Sequence, residues 1–541
     1  MTSTGLEHLR YRRLRAPRED GGVLIEPPAS AVADLVAANT QQSEQACYDL
    51  QGRCLDAVGR RAREELLAGA RRWTSSYRDV DAGPADPSRP IFLAGHQPEL
   101  FHPGVWFKNF ALSRFAEQHE AVAVNLIVDT DIFKRNFVLV PSGSIEDPHL
   151  ASVPLDRAAA VIPFEEQRVQ DREFFAGFGR RVTAHLDPFL ADPLIREYWP
   201  LAVERMEETG NIGAALAQSR HALEGRWGLN TLEIPESWVC ESESFRWLVA
   251  HVLAQLPRFH AAYNGAVADY RRTHRIRSRS HPVPDLAAEG DWLEAPLWMW
   301  SVDAPRRRHL FARQRGRELE ISDRRGRQFR LAISPDASAE RAVEQIQSLR
   351  QRGVKIRSRA LLTTLWARLA LGELFLHGIG GAKYDQVTDA LIARFFGLEP
   401  PRYMVVTSTL RLPLDYQPVS DEDIRAVDRR LRELQWHPED HFDADGALSA
   451  AAPAIAKLIA TKRRWIETAP NAENCRRRFL ELRRINAELG AFLTPERERL
   501  RHEHGRLAAA ARGARILSSR EFAFCLFPAA PLREMLFSLL P

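Results

Sequence analysis

Two stretches of this chain read as strand, turn, helix and strand, and they constrain its fold more than any other feature. In the first, Ile91-Phe92-Leu93-Ala94 is a short apolar run opened by Pro90 and closed by Gly95. Trp106–His119 is apolar at helical spacing, and Ala121–Val128 is a second apolar run, stopped by Asp129. Short apolar runs bounded by Gly, Pro and Asp suit strands buried on both faces. A strand, a helix and a strand within about 40 residues form one crossover unit, which makes the strands parallel. The second stretch begins at Val354. Ser358 suits the cap of a helix over Arg359–Leu371, Leu374–His377 reads as a strand, and Gly378-Ile379-Gly380-Gly381 reads as a glycine turn. Ala382–Phe396 follows as a helix closed by Gly397 and Pro400, and Tyr403–Val406 as a further strand. The expected fold is α/β, with a parallel core in two halves, 91–150 and 336–415.

The rest of the 541 residues has a different texture. Residues 1–90 read as a helical region from a cap at Ser30 through Arg72, with a Gly/Pro/Asp-rich linker at Asp81–Pro90. Residues 151–300 read as a mainly helical insertion. Residues 301–335 read as a small β insertion, because Phe311, Leu319, Ile321, Phe329 and Leu331 alternate with polar residues around Asp323-Arg324-Arg325-Gly326. Residues 416–515 are charged, with Leu and Ile at three-to-four spacing and breaks at Pro470-Asn471 and Thr494-Pro495, which predicts a helical hairpin or coiled coil. Residues 516–541 are apolar enough to pack back on the core. The balance of 75 basic and 71 acidic residues, a net +4, weighs against a dedicated nucleic-acid binder. Five scattered cysteines form no C-x-x-C pair, Met1–Asp20 lacks an apolar signal core, and no apolar run nears the ~20 residues of a membrane span. The expectation is a cytoplasmic protein with neither membrane nor nucleic-acid partner.

Parallel sheets bind ligands beyond the carboxyl ends of their strands. Three polar clusters fall there. Gly95-His96-Gln97 follows the first strand and leads through His102 and Gly104 to Lys108, so that a Gly/Pro-rich turn and a helix start can face an anion. Asp129-Thr130-Asp131 follows the second strand and could hold an amine, ribose hydroxyls or Mg2+. His377-Gly378-Ile379-Gly380-Gly381 follows a third, with Lys383, Tyr384 and Asp385 opening the next helix. Upstream, Lys355, Arg357 and Arg359 put three cations before a helix, which suits an anionic substrate. Each cluster has a plainer reading: His96 and Gln97 as helix caps, the aspartates as turn formers, the cations as a solvated loop. The glycine loop fits neither G-x-x-x-x-G-K-[ST] nor G-x-G-x-x-G, and neither zinc spacing nor a G-x-S-x-G elbow occurs. Trp292, Trp298 and Trp300 suit a core, and Arg271–His281 with Arg306-Arg307-Arg308 suits a solvated basic face or, as the rarer alternative, a grip on an anion. Only six of the basic residues are lysines (Lys108, Lys134, Lys355, Lys383, Lys457, Lys462), and four of the six fall in the two core stretches.

The run G-H-Q-P-E-L-F-H-P-G-V-W-F-K (95–108) resembles the Q-Q-x-G-L-x-x-G-P signature of the bacillithiol-biosynthesis cysteine-adding enzymes, with its following lysine. Val128–Phe133 is similar to that family's acidic cluster, and L-F-L-H-G-I-G-G-A-K-Y-D-Q-V (374–387) to its G-G-x-x-E-x-x-Y element. The resemblance spans 95–134 and 355–389. It implies a Rossmann-like core related to class I aminoacyl-tRNA synthetases, a coiled coil that forms a homodimer, and an ATP-dependent carbon–nitrogen ligase joining cysteine to the amine of a sugar-derived acceptor. On that basis His96, Lys108, Asp129 and Asp131 are the expected catalytic residues. Gly95, Gln97, His102, Gly104, Arg357, Arg359, His377, Gly378, Gly380, Gly381, Lys383, Tyr384 and Asp385 are the expected nucleotide- or substrate-binding residues, with ATP and Mg2+ as cofactors and small molecules as partners. Two rivals stay open: a transferase or hydrolase of phosphorylated or glycosylated metabolites at the same edge, and a non-catalytic coiled-coil scaffold.

Overall fold

The apolar runs of both core stretches join one six-stranded sheet. Its strands are β1 (Gly22–Glu26), β2 (Ile91–His96), β3 (Val122–Ile127), β4 (Leu232–Pro235), β5 (Leu374–His377) and β6 (Met404–Thr409), in the spatial order β1-β6-β5-β2-β3-β4. All neighbours pair in parallel except β1, which runs antiparallel on β6. Along the chain the five parallel strands lie third, second, first, fourth, fifth, so the winding reverses between β2 and β5. That reversal opens a crevice at the carboxyl ends of the two strands.

Helices cover both faces, as parallel strands require. α1 (Leu55–Thr74) buries Leu55, Val58, Ala62, Leu66, Leu67 and Ala70 at three-to-four spacing, and a Cβ on its Gly69 would meet Ile234 of β4 at 2.7 Å. α2 (Pro103–Gln118) lies against β2, β3 and β6 and buries Trp106, Phe107, Phe110 and Phe115. The segment after Arg520 folds onto α2, with the Phe524 ring centre 4.4 Å from that of Trp106 and the rings tilted by 40°. α3 (Ile379–Leu391) follows β5.

Residues 11, 14–80, 89–158, 160–416, 420–442 and 451–541 are described in this computed structural model; the expected linker at Asp81–Pro90 lies outside them through residue 88. The described residues divide into two units, one of Met1–Val140, Ser152–Leu412 and Arg520–Pro541, the other of Pro141–Ala151 and Pro413–Ser519. The second contains the helices Asp421–Trp436, Ala452–Glu467, Cys475–Phe492 and Thr494–Leu517. These helices fall where a helical hairpin or coiled coil is expected, and they hold two small apolar clusters, one of Val427, Leu434, Leu493 and Leu500 and one of Ile455, Ile485 and Leu489. No helix among the described residues is long and apolar enough to cross a membrane.

The structure differs from the sequence reading in several elements: the expected glycine turn at 378–381 is, from Ile379, already the first turn of α3, and Phe137–Gly143 and Pro148–Pro154 form a two-stranded sheet. β1 lies in the region expected to be helical, and β4 lies inside the expected helical insertion. The β insertion is also larger than 301–335. Its antiparallel sheet takes in Trp292–Ser301, Ala304–Arg315, Glu318–Ser322, Gln328–Leu331 and Val354–Ser358. Val354–Ser358 therefore pairs with Trp292–Ser301 and is not part of the parallel core.

Candidate functional site

A cleft of about 1020 Å³ opens over the crevice between β2 and β5. Gly95, His96, Gln97, His102, Gly104 and Lys108 line it from the β2–α2 turn, Asp131 from the end of β3, and His377, Gly378, Gly380, Gly381, Lys383 and Tyr384 from the β5–α3 turn. Arg359 lines the opposite wall, which the antiparallel sheet supplies together with Trp298, Arg307 and His309. Three remote segments thus share one rim, as a parallel sheet's connectivity dictates.

Two helix N-termini open here without a capping side chain. His102 stands at the N-cap of α2 and Gly378 at that of α3, and neither makes a side-chain cap hydrogen bond. At α3 the N–H groups of Ile379, Gly380 and Gly381 are left to solvent or a ligand, whereas at α2 Pro103 has no N–H and Val105 and Trp106 donate to the His102 carbonyl oxygen at 3.0 and 3.3 Å. The glycines divide by role. A Cβ on Gly104 would lie 2.1 Å from the Ser408 carbonyl oxygen, so that glycine is demanded by packing, whereas one on Gly378 or Gly380 would meet nothing within 4 Å.

Charges in the cleft are tuned by burial. Lys108 donates to the Gly95 carbonyl at 2.5 Å, and burial, with the Arg220 guanidinium nearby, brings its ammonium down to about 7. His96 Nδ1 lies 2.8 Å from the Gln97 carbonyl oxygen, and its ring meets Phe101 edge-on. Burial and the neighbouring Lys108 hold His96 at about 3, so the imidazole is neutral at ordinary pH. Glu236 is buried on the cleft floor and accepts from Thr130 and Ser358, both at 2.7 Å, and from Thr363. Burial raises its carboxyl despite those three donors. Lys383 is exposed and has no hydrogen-bond or ion-pair partner among the described residues.

Three expected site residues do not face the cleft. Asp129 turns away and accepts from Ser237 N at 2.9 Å and Ser237 Oγ at 2.5 Å, so it caps the short helix Glu236–Val239 from outside. It lines a separate pocket of about 300 Å³, where burial and the neighbouring Glu165 push its carboxyl up to about 8. Arg357 spends its donors structurally: Nε and Nη2 on Glu165 at 2.8 and 3.1 Å, and Nη1 on Glu241 at 2.8 Å. Lys355 pairs with Glu165 and Glu166, so of the three expected cations only Arg359 lines the cleft. Asp385 is fully buried behind the rim and accepts from Arg368 at 2.6 Å, with His377 Nε2 at 2.9 Å. Burial opposes its ionisation, but Arg368 and His377 outweigh that and hold the carboxyl below its usual range. It orients His377 from behind.

No family model matches this chain, and no curated protein is similar to it. The site therefore has to be read from its own geometry.

Residues not among the expected site residues complete the cleft. Trp298 was expected in a core and Arg307 on a solvated face. Both instead form the far wall, where Arg307 donates to Asp131 at 3.0 Å and lies 4.4 Å over the Trp298 ring. Glu236 follows β4, a strand of four residues with no distinctive pattern. The triplet Arg306-Arg307-Arg308 is the one signal that pointed at this wall.

Proposed function

We propose that the protein is an ATP-dependent carbon–nitrogen ligase, joining an amino acid to the amine of a sugar-derived acceptor, with the parallel core read as Rossmann-like. The observation that carries this reading is the meeting of two uncapped helix N-termini, one from each half of the core, at the point where the winding reverses. The unpaired first-turn N–H groups of α3 and the positive ends of two helix dipoles suit a phosphate chain. The strand order is that of doubly wound nucleotide-binding sheets, which supports the same reading. So does the cleft's size, ample for a nucleotide and a second small molecule.

ATP, when bound, supplies the phosphoryl or adenylyl group that activates a carboxylate for attack by an amine. The chain's own part is positioning and electrostatics. The α2 and α3 N-termini hold phosphate oxygens, Gly378 and Gly380 leave room for close approach, and Lys108 offsets charge that builds on the phosphates. Neutral His96 offers hydrogen bonding without charge, and exposed Lys383 reaches the ligand from the α3 side. A resident Mg2+ is not part of this reading. Asp131 is already paired with Arg307, and Glu236 is saturated by three hydroxyls, so the donor set does not fit a dedicated metal site.

The test is incubation with ATP, a pool of amino acids and a pool of amino sugars, with phosphate and pyrophosphate assayed and products read by mass spectrometry. A new amide that appears together with phosphate or pyrophosphate release is the expected result. Release without any amide points to the hydrolase alternative. No release with any combination rules the ligase out.

A further inference from the structure

The two arginines on the antiparallel-sheet wall differ from the structural arginine beside them. Arg357 uses all three of its nitrogens on protein acceptors. Arg307 uses only Nη1, on Asp131 at 3.0 Å and on the Thr130 carbonyl at 3.2 Å, and its Nε is buried with no partner. Arg359 likewise uses only Nη1, on Glu294 and at 3.4 Å from His309 Nδ1. Among the described residues neither Nη2 makes a hydrogen bond. Both side chains are nearly buried, at 12% and 9% exposure, so their positions are fixed and little water competes for their free edges. Their guanidinium carbons lie 4.4 and 4.9 Å from the centre of the partly exposed Trp298 ring, and His309 lies 4.8 Å from the same ring.

We propose that this wall is a second subsite, which takes an oxyanion on the free guanidinium edges of Arg307 and Arg359 and a ring or planar group on Trp298. Arg307 offers its free Nη2, and the free Nε and Nη2 of Arg359 form a fork that matches a carboxylate or phosphate bidentately. One carboxylate already offsets each arginine, so the wall binds through directed hydrogen bonds more than through bulk charge. The ligand class is a small ring-bearing metabolite with a carboxylate or phosphate group. Assigning it to the co-substrate rests on the nucleotide reading of the opposite wall; the subsite itself does not.

Calorimetric titration with inorganic phosphate and with malonate, each with and without saturating ATP, tests this in the wild type and in Arg307→Lys. Lysine keeps the charge opposite Asp131 but lacks the free Nη2. At least one anion should bind the wild type, with affinity unchanged by ATP and roughly tenfold weaker in R307K. Which anion binds distinguishes a carboxylate from a phosphate ligand. Thermal unfolding checks that R307K is folded, and R359K provides the same comparison if it is not. The subsite is overturned if neither anion binds, if both lysine variants bind like wild type, or if ATP displaces the anion. If ATP does not bind but the anion does and weakens in R307K, the nucleotide reading fails and the subsite stands.

Discussion

Burial separates Asp129 from Asp131, although they are only two positions apart. Asp131 faces the cleft and Arg307, while Asp129 sits in a crevice behind β3 with Ser237 and Glu165. Its carboxyl stays protonated up to about 8 against an ordinary 3.8. Between those values the unfolded chain has released a proton that the folded chain keeps, so folding stability falls as pH rises through that window. Asp129→Asn still accepts from Ser237 N, can donate its Nδ2 to Ser237 Oγ, and removes the titration. Its stability relative to wild type, read by urea unfolding, should rise from pH 4 to 8 and then level off. Lys108 has the opposite sign. Its folded value of about 7 lies below the ordinary 10.5, so the cost of burying its charge is fully present below pH 7 and is relieved as pH climbs towards 10.5. Lys108→Met should flatten that rise. Behind the rim, Arg368 is nearly buried and pairs with Asp385 and Asp389. Arg368→Met would leave the buried Asp385 carboxylate with His377 as its remaining partner and without its full positive charge, and a loss of about 3 kcal/mol in chemical denaturation is expected.

At the scale of elements, Glu236 ties three segments together: Thr130 after β3, Ser358 at the end of an antiparallel strand, and Thr363 in the following helix. It joins the parallel sheet to the wall that carries Trp298. Glu236→Ala removes the acceptor shared by those three hydroxyls and opens a cavity, and should cost on the order of 3 kcal/mol in unfolding experiments. Glu236→Gln, which still accepts hydrogen bonds, should cost much less. The elements legible in the sequence were those with a strong local signature. β2, β3 and β5 are apolar runs closed by glycine or aspartate, and α2 has aromatic residues at helical spacing. β4 has only four residues and β1 stands at the sheet edge, so neither shows a period that separates it from loop or helix. Val354–Ser358 misleads because its two cations resemble a solvated loop, whereas the fold neutralises both on Glu165 and its neighbours.

Across the whole molecule, topology did more than motif to gather the site. His96, Asp131 and Gly380 share a cleft because parallel strands end on one rim, and that argument needs only the crossover pattern. The place of Trp298 and Arg307 in the cleft was not legible, because an antiparallel sheet inserted between the core halves brings them across it through long-range pairing that no local pattern encodes. The account's central claim is that both halves of the core contribute to one nucleotide site. Calorimetric titration of ATP into wild type, Lys108→Met and Gly380→Leu tests it directly, because the first variant removes a charge from one half and the second fills open space beside the other. Both variants should remain folded and bind ATP roughly tenfold or more weakly. Wild-type protein that does not bind ATP, or two variants that bind it as tightly as wild type, would contradict the claim.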